Sequence, residues 1–404
     1  MADQPTQVIV RSPGSVLDHE AWLNQMADQG WLITTLWGTR HTFAAAAPGA
    51  WRVHVEPCVR TANRHRILGP VSAITLANDP GTHVVSSAAG RLIAVCPAAA
   101  DPSDRVHPLA RAEGYRAIAR TSRSEVLMYL ALLIAVLVAV TLSLAAARPL
   151  PLPTVLFSSV MTGLLCGLLL LIATTPWRIL AAARDRLCVP SPWPEPTHAV
   201  RGSRLTDVAR AEWLNDQAAR GWAVISFDGR DEYTFEPSQP GQYQIAVEAI
   251  GSGFIAPYLI GSAPDSNWVA PGEMLTTLPD AEIVGASSTW VIARRVAQAS
   301  PFTPPGRPAD IAQAYAAAAD RTHRAIPRTA VVTVLVAVLV LLYLAFVWFP
   351  WSRSTGVSGG TSVLAPLLFF QLAMTIRQWA KLARRAGALR AWADRYFQLA
   401  DARM

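Results

Sequence analysis

Four long apolar stretches divide the chain into two similar halves. The first pair covers residues 126–147 and 154–175, and the second pair covers residues 329–349 and 361–376. None of them has an acidic, basic or histidine side chain in its interior, and about 20 apolar residues let a helix cross a bilayer. The fourth stretch is the shortest, but the first half supplies a matching second helix. The pattern predicts two transmembrane helix hairpins, at 125–177 and 328–376.

Arginines and lysines flank these stretches mainly on one side. The loops inside the two hairpins hold only Arg148 and Arg353. The opposite flanks hold Arg111, Arg116, Arg120, Arg123, Arg178, Arg184, Arg186, Arg321, Arg324, Arg328, Arg377, Lys381, Arg384, Arg385 and Arg390. Because cytoplasmic flanks carry the positive excess, this bias predicts a multi-pass protein of the bacterial inner membrane with both termini in the cytoplasm.

Two polar regions, 1–124 and 178–327, precede the apolar pairs and share a ten-residue phrase. WLNQMADQGW at 22–31 and WLNDQAARGW at 213–222 are identical at six positions. A match this dense marks an internal duplication, so one polar region with one hairpin is predicted to be the repeated unit. Residues 377–404 remain as a basic amphipathic C-terminal helix, which lies along a membrane surface, contacts a partner or is simply solvated.

The residues around each phrase predict a helix that ends at a glycine and leads into a sheet. Ser15 and Thr206 are suitable N-caps, and Gly30 and Gly221 follow the last helical turn. Alternating strands are predicted at 31–36, 41–43 and 51–56, with counterparts at 222–227, 233–235 and 243–248. A second helix, clearest at 271–278, and a last hairpin complete the unit. The fold class is α+β, with the order helix, three strands, helix, two strands and an antiparallel sheet.

The W-L-N-x-x-A-x-x-G-W opening, the later x-T-F, the Pro-Gly turn and the aromatic strand ending in glutamate resemble a bacterial family of unknown function. Members of that family carry this cytoplasmic domain beside transmembrane helices and are often encoded beside PadR-type transcriptional regulators. The family's second helix ends in Gly-Trp-Glu, which is reduced here to Asp280-Ala281-Glu282 in the second copy. The resemblance implies a fold and a topology, and it assigns no reaction.

Three pairs of equivalent residues are candidates for binding a ligand or a partner. They are Asn24 and Asn215, Trp31 and Trp222, and Glu56 and Glu248. Each pair also has a structural interpretation, which the sequence favours. An asparagine on a helix can bond to backbone and fix the following turn, tryptophans at helix ends usually belong to the core, and a glutamate at a strand end is usually solvated.

Cysteines and histidines show no recognised metal-binding spacing. The cysteines are scattered, without a C-x-x-C pair, at Cys58, Cys96, Cys166 and Cys188. His54, Cys58 and His65 match no ligand pattern, and Ala246 replaces His54 in the second copy. The sequence contains no phosphate-binding glycine loop, no G-x-S-x-G and no nucleophile–base pair. It predicts no catalytic residue, no metal and no cofactor.

Composition agrees with a membrane protein and argues against a nucleic-acid-binding protein. Charged residues make up 16% of the 404 residues, below the ~25% of typical soluble domains, and the mean hydropathy is +0.27. The net charge of +7 is concentrated beside the apolar stretches rather than in a patch with interleaved aromatic residues. The polar residues 1–5 predict no cleaved signal peptide.

These observations predict a non-enzymatic, multi-pass membrane protein with two cytoplasmic interaction or sensing modules, in envelope-stress response or as a scaffold for a membrane complex. The expected partners are the lipid bilayer and a second copy or another membrane protein, without nucleic acid. Ser159, Gly163 and Gly167 form a small-residue face that is predicted to pack helices. An accessory role in transport or export is the main alternative, and a membrane enzyme acting on lipid is a third.

Overall fold

The computed structural model contains two copies of one α+β unit, each followed by a pair of long helices. It describes residues 6–11, 15–60, 67–68, 70–88, 90–146, 152–187, 198–201, 207–228, 232–249, 271–286, 290–298, 300, 302–342 and 364–401. Repeat 1 contains β1 (Thr6–Val10), α1 (Val16–Asp28), β2 (Trp31–Trp37), β3 (Arg40–Ala45), β4 (Trp51–Pro57), β5 (Val59–Arg60), β6 (Ile67–Leu68), α2 (Val71–Asn78), β7 (His83–Ala88), β8 (Arg91–Pro97), α3 (Pro108–Ala146) and α4 (Leu152–Leu187).

Within the described residues, which leave out 250–270, repeat 2 follows the same order apart from the small β5–β6 pair. It contains β9 (His198–Arg201), α5 (Asp207–Ala219), β10 (Trp222–Phe227), β11 (Glu232–Pro237), β12 (Tyr243–Ala249), α6 (Pro271–Thr276), β13 (Glu282–Ala286), β14 (Trp290–Val296), α7 (Pro308–Leu342) and α8 (Leu364–Asp401). The correspondence of elements within the described ranges agrees with the duplication that the ten-residue phrase indicates.

Each repeat contains two three-stranded antiparallel sheets instead of the one sheet expected. The strand orders are β1–β3–β2 and β4–β8–β7 in repeat 1, and β9–β11–β10 and β12–β14–β13 in repeat 2. The predicted order of elements is present, but an additional strand, β1 or β9, precedes it and pairs with β3 or β11. Most of β1 is exposed, so no buried face marks it in the sequence.

The ten-residue phrase covers the end of α1 or α5 and the first residue of the next strand. Ser15 caps α1, because its Oγ accepts a hydrogen bond from the Asp18 N–H at 3.0 Å. Gly30 and Gly221 have φ angles of +85° and +87°, and an added Cβ would lie 3.1 Å and 2.9 Å from a backbone oxygen. Glycine is therefore required at both positions for conformation and for space. Thr206 lies outside the described residues.

The long helices complete the cores of the repeats. In repeat 2, Tyr315 of α7 and Trp392 and Tyr396 of α8 are buried in one apolar cluster with Leu214 of α5. In repeat 1, Ala182 of α4 joins the corresponding cluster. Residues 377–401, which lie in the segment that the sequence predicts as a basic amphipathic helix, form the end of α8, and their apolar face packs into repeat 2.

The two repeats also pack against each other. Val106 forms an isolated parallel bridge with Ile283, and the His107 N–H donates to the Ile283 carbonyl oxygen at 3.1 Å. Arg105 Nη1 donates to the Thr276 carbonyl oxygen at 3.2 Å. One buried apolar cluster draws on both repeats, with Ile74, Val106 and Ala110 from repeat 1 and Ala246, Leu275, Ala281, Ile283, Val291, Ala293 and Phe302 from repeat 2. The segment that leads into α3 therefore rests on repeat 2.

The transmembrane prediction is wrong for the part of the chain that the structure describes. Within those residues, no helix is both long enough and apolar enough to cross a membrane. The described parts of the apolar stretches belong to longer paired helices, α3 with α4 and α7 with α8, whose other halves carry charges and pack on the repeats. Three predictions are therefore wrong for the described residues. They are the membrane hairpins of the fold class, the multi-pass inner-membrane location and the functions that depend on a membrane.

Parts of the predicted spans cannot be compared with the structure. Residues 147–151 and 343–363 lie outside the described residues, as do the side chains of residues 135–162, which include Ser159. An added Cβ at Gly163 or Gly167 meets no atom within 4 Å, so helix packing at these glycines stays a prediction. Large apolar side chains are exposed on the described parts of the long helices, at Leu127, Leu130, Ile134, Leu170, Trp177, Val331, Val334, Leu335, Val338, Ile376 and Trp379.

Candidate functional site

Asn24 and Asn215 tie the first helix of each repeat to a central strand. The Val53 N–H donates to Asn24 Oδ1 at 3.0 Å, and Asn24 Nδ2 donates to the Val53 carbonyl oxygen at 2.8 Å. Asn215 makes the same two bonds with Ile245, at 3.0 Å and 2.8 Å. Each amide nitrogen also donates to the carbonyl oxygen four residues earlier in its helix. Both asparagines thus serve as helix-to-strand clasps, and their bonds reach a strand rather than the following turn.

Replacing Asn215 with alanine removes both side-chain bonds to the Ile245 backbone. We expect the free energy of unfolding to fall by about 1–3 kcal/mol, because the backbone groups lose their partners next to a buried core. Urea denaturation followed by circular dichroism measures this loss. The matched control is Asp216→Ala at the next, exposed position, where a change of about 0.5 kcal/mol or less is expected. Equal losses in the two variants would contradict the clasp.

The tryptophans of the phrase pack against the cores of their own repeats. Trp31 and Trp222 begin β2 and β10 and are half-buried against the apolar clusters. Trp22 meets Phe43 edge to face, with the ring centroids 5.7 Å apart. Trp213 meets Phe235 in the same way, at 5.8 Å. These contacts place the tryptophans in core packing, in agreement with the structural interpretation of the pattern.

Glu56 and Glu248 are buried, unlike the solvated strand ends that the sequence favours. Each side chain is only 3% exposed, near the end of β4 or β12. In each repeat, a tyrosine of the outgoing helix donates its hydroxyl to the carboxylate, Tyr115 in repeat 1 and Tyr315 in repeat 2. The second long helix adds another polar side chain. We call each arrangement a glutamate clamp: Glu56, Tyr115 and Arg186 in repeat 1, and Glu248, Tyr315 and Tyr396 in repeat 2.

The clamp of repeat 1 includes a cation. The Tyr115 hydroxyl lies 2.9 Å and 2.7 Å from the two carboxylate oxygens of Glu56. Arg186 of α4 donates to Glu20 at 3.1 Å and to the Val55 carbonyl oxygen at 2.6 Å. Burial raises the pKa of Glu56, and the positive charge of Arg186 opposes this rise. A nearby cation therefore reduces the cost of an ionised Glu56.

The clamp of repeat 2 uses two hydroxyls instead. Tyr315 donates to Glu248 Oε2 at 2.6 Å, and Tyr396 donates to Oε1 at 2.5 Å. The Tyr315 oxygen also accepts the Ala249 N–H at 3.2 Å. Burial raises the pKa of Glu248 to about 7, although both hydroxyl donors and the charge of Arg395 oppose the rise. Glu248 is therefore a buried carboxylate that titrates in the neutral range.

The clamp tyrosines carry a sequence signal that the pattern analysis missed. α3 begins at Pro108 and α7 at Pro308, and in both helices a tyrosine, Tyr115 or Tyr315, follows seven residues later. An alignment of the two halves beyond the sheet region would have paired them. The signal is weak because the surrounding helix residues have diverged.

A second group of polar side chains meets in repeat 1. His54 of β4, Cys96 of β8 and Asp101, which follows β8, bring their potential ligand atoms within 4.8 Å of one another. His54 Nε2 lies 2.9 Å from Asp101 Oδ2. Burial disfavours the charged imidazole, but the hydrogen bonds to Asp101 and Cys96 outweigh it and raise the pKa of His54 to about 10. Of the residues that sequence analysis had grouped with His54, Cys58 is not in this cluster and His65 lies outside the described residues.

A buried histidine pair marks another difference between the repeats. His19 Nε2 and His41 Nε2 are 2.9 Å apart, whereas Arg210 and Tyr233 occupy these positions in repeat 2. Burial, followed by the proximity of His41, lowers the pKa of His19 to about 4. The folded chain therefore binds a proton at His19 less readily than the unfolded chain does. As a result, the free energy of unfolding falls as the pH drops from 6.5 towards 4.

Comparison of the chain with protein-family models, with curated proteins and with solved structures finds no match. No relative therefore carries a function over to this chain. Its function has to be inferred from the two glutamate clamps and from the cluster around His54.

Proposed function

We propose that the chain is a non-catalytic, proton-responsive coupling protein. In this role, the protonation of a buried glutamate determines how tightly the long helices of a repeat pack against its sheets. One observation carries the proposal: both repeats hold a buried carboxylate through a tyrosine hydroxyl of the outgoing helix. A duplicated carboxylate whose partners come from the long helices couples its charge to their position.

The charge of Glu248 bears directly on α7 and α8. When Glu248 is neutral, its carboxyl group and the two tyrosine hydroxyls can satisfy one another inside an apolar core. When it is ionised, the core holds a charge that two hydroxyl donors compensate only in part. Since Tyr315 comes from α7 and Tyr396 from α8, relief of this cost requires movement of those helices or entry of water between them and β12. The packing of α7 and α8 against β12 is therefore tighter below pH 7 than above it.

Repeat 1 supports a division of roles. Arg186 offsets the charge of Glu56 and also bonds to Glu20 and to the backbone of β4. The clamp of repeat 1 therefore holds its helices independently of pH near neutrality, whereas the clamp of repeat 2 responds to protonation of Glu248.

The burial of the clamps supports a non-catalytic role. A general acid or base has to reach the proton that it transfers in a bound substrate. Glu56 and Glu248 are almost fully covered by the helices that bond to them. Their hydroxyl and guanidinium partners are engaged within the protein, so a change of protonation has its effect on packing.

Hydrogen–deuterium exchange of the full chain tests the proposal. After correction for the intrinsic pH dependence of exchange, protection of residues 386–401 in α8 should fall about tenfold between pH 6 and pH 8, as linkage to a pKa near 7 requires. The Glu248→Gln variant should lose this dependence. Glu212→Gln, which changes an exposed carboxylate on α5, should behave as the unmodified chain does. The same pH dependence in Glu248→Gln and the unmodified chain would overturn the proposal.

A further inference from the structure

We propose that His54, Cys96 and Asp101 form a binding site for a zinc-class divalent metal ion. The three side chains offer an imidazole nitrogen, a sulfur and a carboxylate oxygen, all within 4.8 Å of one another. None of these three residues belongs to a glutamate clamp, and the proposal does not depend on the coupling function.

The set of donor atoms identifies the class of ion. Zinc binds imidazole nitrogen and carboxylate oxygen at about 2.0–2.2 Å and thiolate sulfur at about 2.3 Å, which places tetrahedral ligands roughly 3.3–3.7 Å apart. His54 Nε2 and Asp101 Oδ2 are already closer than this, at 2.9 Å. Cys96 Sγ lies within 4.8 Å of the other two ligand atoms, so side-chain rotation can bring it to a ligand distance. Magnesium and calcium prefer sets composed only of oxygen. Three protein ligands leave a fourth position for water or another small ligand.

The surroundings orient the ligands and leave a path to them. The Ser103 N–H donates to Asp101 Oδ1 at 2.8 Å, which leaves Oδ2 directed at His54. A bond to the far oxygen of this kind fixes a metal-binding carboxylate. The side chains of His54 and Asp101 are 15% and 16% exposed, and Cys96 is fully buried beneath them. An ion can reach the site from the histidine and aspartate side, while the buried thiol is poorly placed to attack a substrate.

The duplication provides an internal comparison. In the register of the sheets, Cys96 pairs with Arg52 in repeat 1, and Arg295 pairs with Gln244 at the same place in repeat 2. Ala246 stands where repeat 1 has His54. Arg295 bonds to Gln244 and to the Ser300 carbonyl oxygen, so a fixed guanidinium occupies the position of the thiol. Repeat 2 forms the corresponding sheet with neither the histidine nor the thiol, which indicates that these two side chains serve binding rather than the fold.

Cobalt titration of the full chain, stripped of metal beforehand, tests the site. Co²⁺ should bind with a stoichiometry of one, with a thiolate-to-cobalt charge-transfer band and tetrahedral d–d bands that Zn²⁺ abolishes and Mg²⁺ does not. Cys96→Ala should lose the charge-transfer band, and Asp101→Asn should weaken binding at least tenfold. Cys58→Ala, which removes another buried thiol of repeat 1, should leave the bands unchanged.

The variants keep the test decisive if one of them is unstable. Far-ultraviolet circular dichroism reports whether Cys96→Ala is folded, and Asp101→Asn probes the same site through a side chain near the surface. The proposal would be overturned if no saturable cobalt bands appeared or if the charge-transfer band persisted in folded Cys96→Ala. It would also be overturned if Asp101→Asn bound cobalt as tightly as the unmodified chain, or if the band disappeared in folded Cys58→Ala.

Discussion

Replacing Trp392 with alanine is expected to lower the free energy of unfolding by about 3–5 kcal/mol, the usual cost of removing a large aromatic side chain from a core. Trp392 is fully buried, and its ring stacks on Tyr315 with the centroids 5.9 Å apart. The cavity would lie between α8 and α7, next to the Glu248 clamp. Chemical denaturation of the purified chain, with circular dichroism as the readout, measures the loss.

The same helix provides a matched control. Trp379 also lies on α8, but its side chain is 44% exposed. Trp379→Ala should change the free energy of unfolding by less than about 1 kcal/mol, as most surface substitutions do. If Trp392→Ala proved as harmless as Trp379→Ala, the end of α8 would not be part of the core of repeat 2, and the clamp would lose the helix that brings Tyr396.

The second large effect concerns the dependence of stability on pH. The pKa of Glu248 is about 7 in the folded chain, against the usual value of 4.5. The folded state therefore binds the proton more tightly, and stability falls as the pH rises from 4.5 to 7. The difference of about 2.5 pH units corresponds to about 3 kcal/mol. Because Glu248→Gln stays neutral, its stability relative to the unmodified chain should rise by about 2–3 kcal/mol between pH 5 and pH 8.

Comparing the variant with the unmodified chain isolates this group, since the other titrating residues are common to both proteins. Urea denaturation at several pH values gives the difference in the free energy of unfolding. Glu212→Gln should show a difference that does not vary with pH. A constant difference for Glu248→Gln as well would mean that Glu248 has an ordinary pKa and that its clamp does not respond to protons.

The local features of the fold follow from the sequence where one residue decides the backbone. Gly30 and Gly221 adopt a left-handed conformation beside a backbone oxygen, and glycine is the residue that fits there. Ser15 is the N-cap that the sequence predicts, because its side-chain oxygen accepts a backbone N–H in the first turn of the helix. The duplicated order of helix and strands could be read in the same way. The separation into two sheets could not, because it depends on pairing between strands that are distant in the chain.

The candidate site was beyond the sequence because its partners are remote. Tyr115 lies 59 residues from Glu56, and Tyr396 lies 148 residues from Glu248. The glutamates are buried by the long helices, whose apolar stretches predict membrane spans rather than packing on the sheets. The cluster of His54 with Asp101 spans 47 residues and depends on the sheet register and the turn after β8. Sequence spacing alone grouped His54 with nearby residues instead.

Because the two repeats share a buried contact, the unit that was duplicated is smaller than the unit that folds. The bridge from Val106 to Ile283 and the shared apolar cluster join the exit of repeat 1 to a strand of repeat 2. The two copies therefore have different surroundings at this contact. Excision of either half would expose this cluster and is expected to lower the stability of the half that remains. Each copy of the duplicated unit therefore has a core of its own, and one further apolar cluster is buried only where the two copies meet.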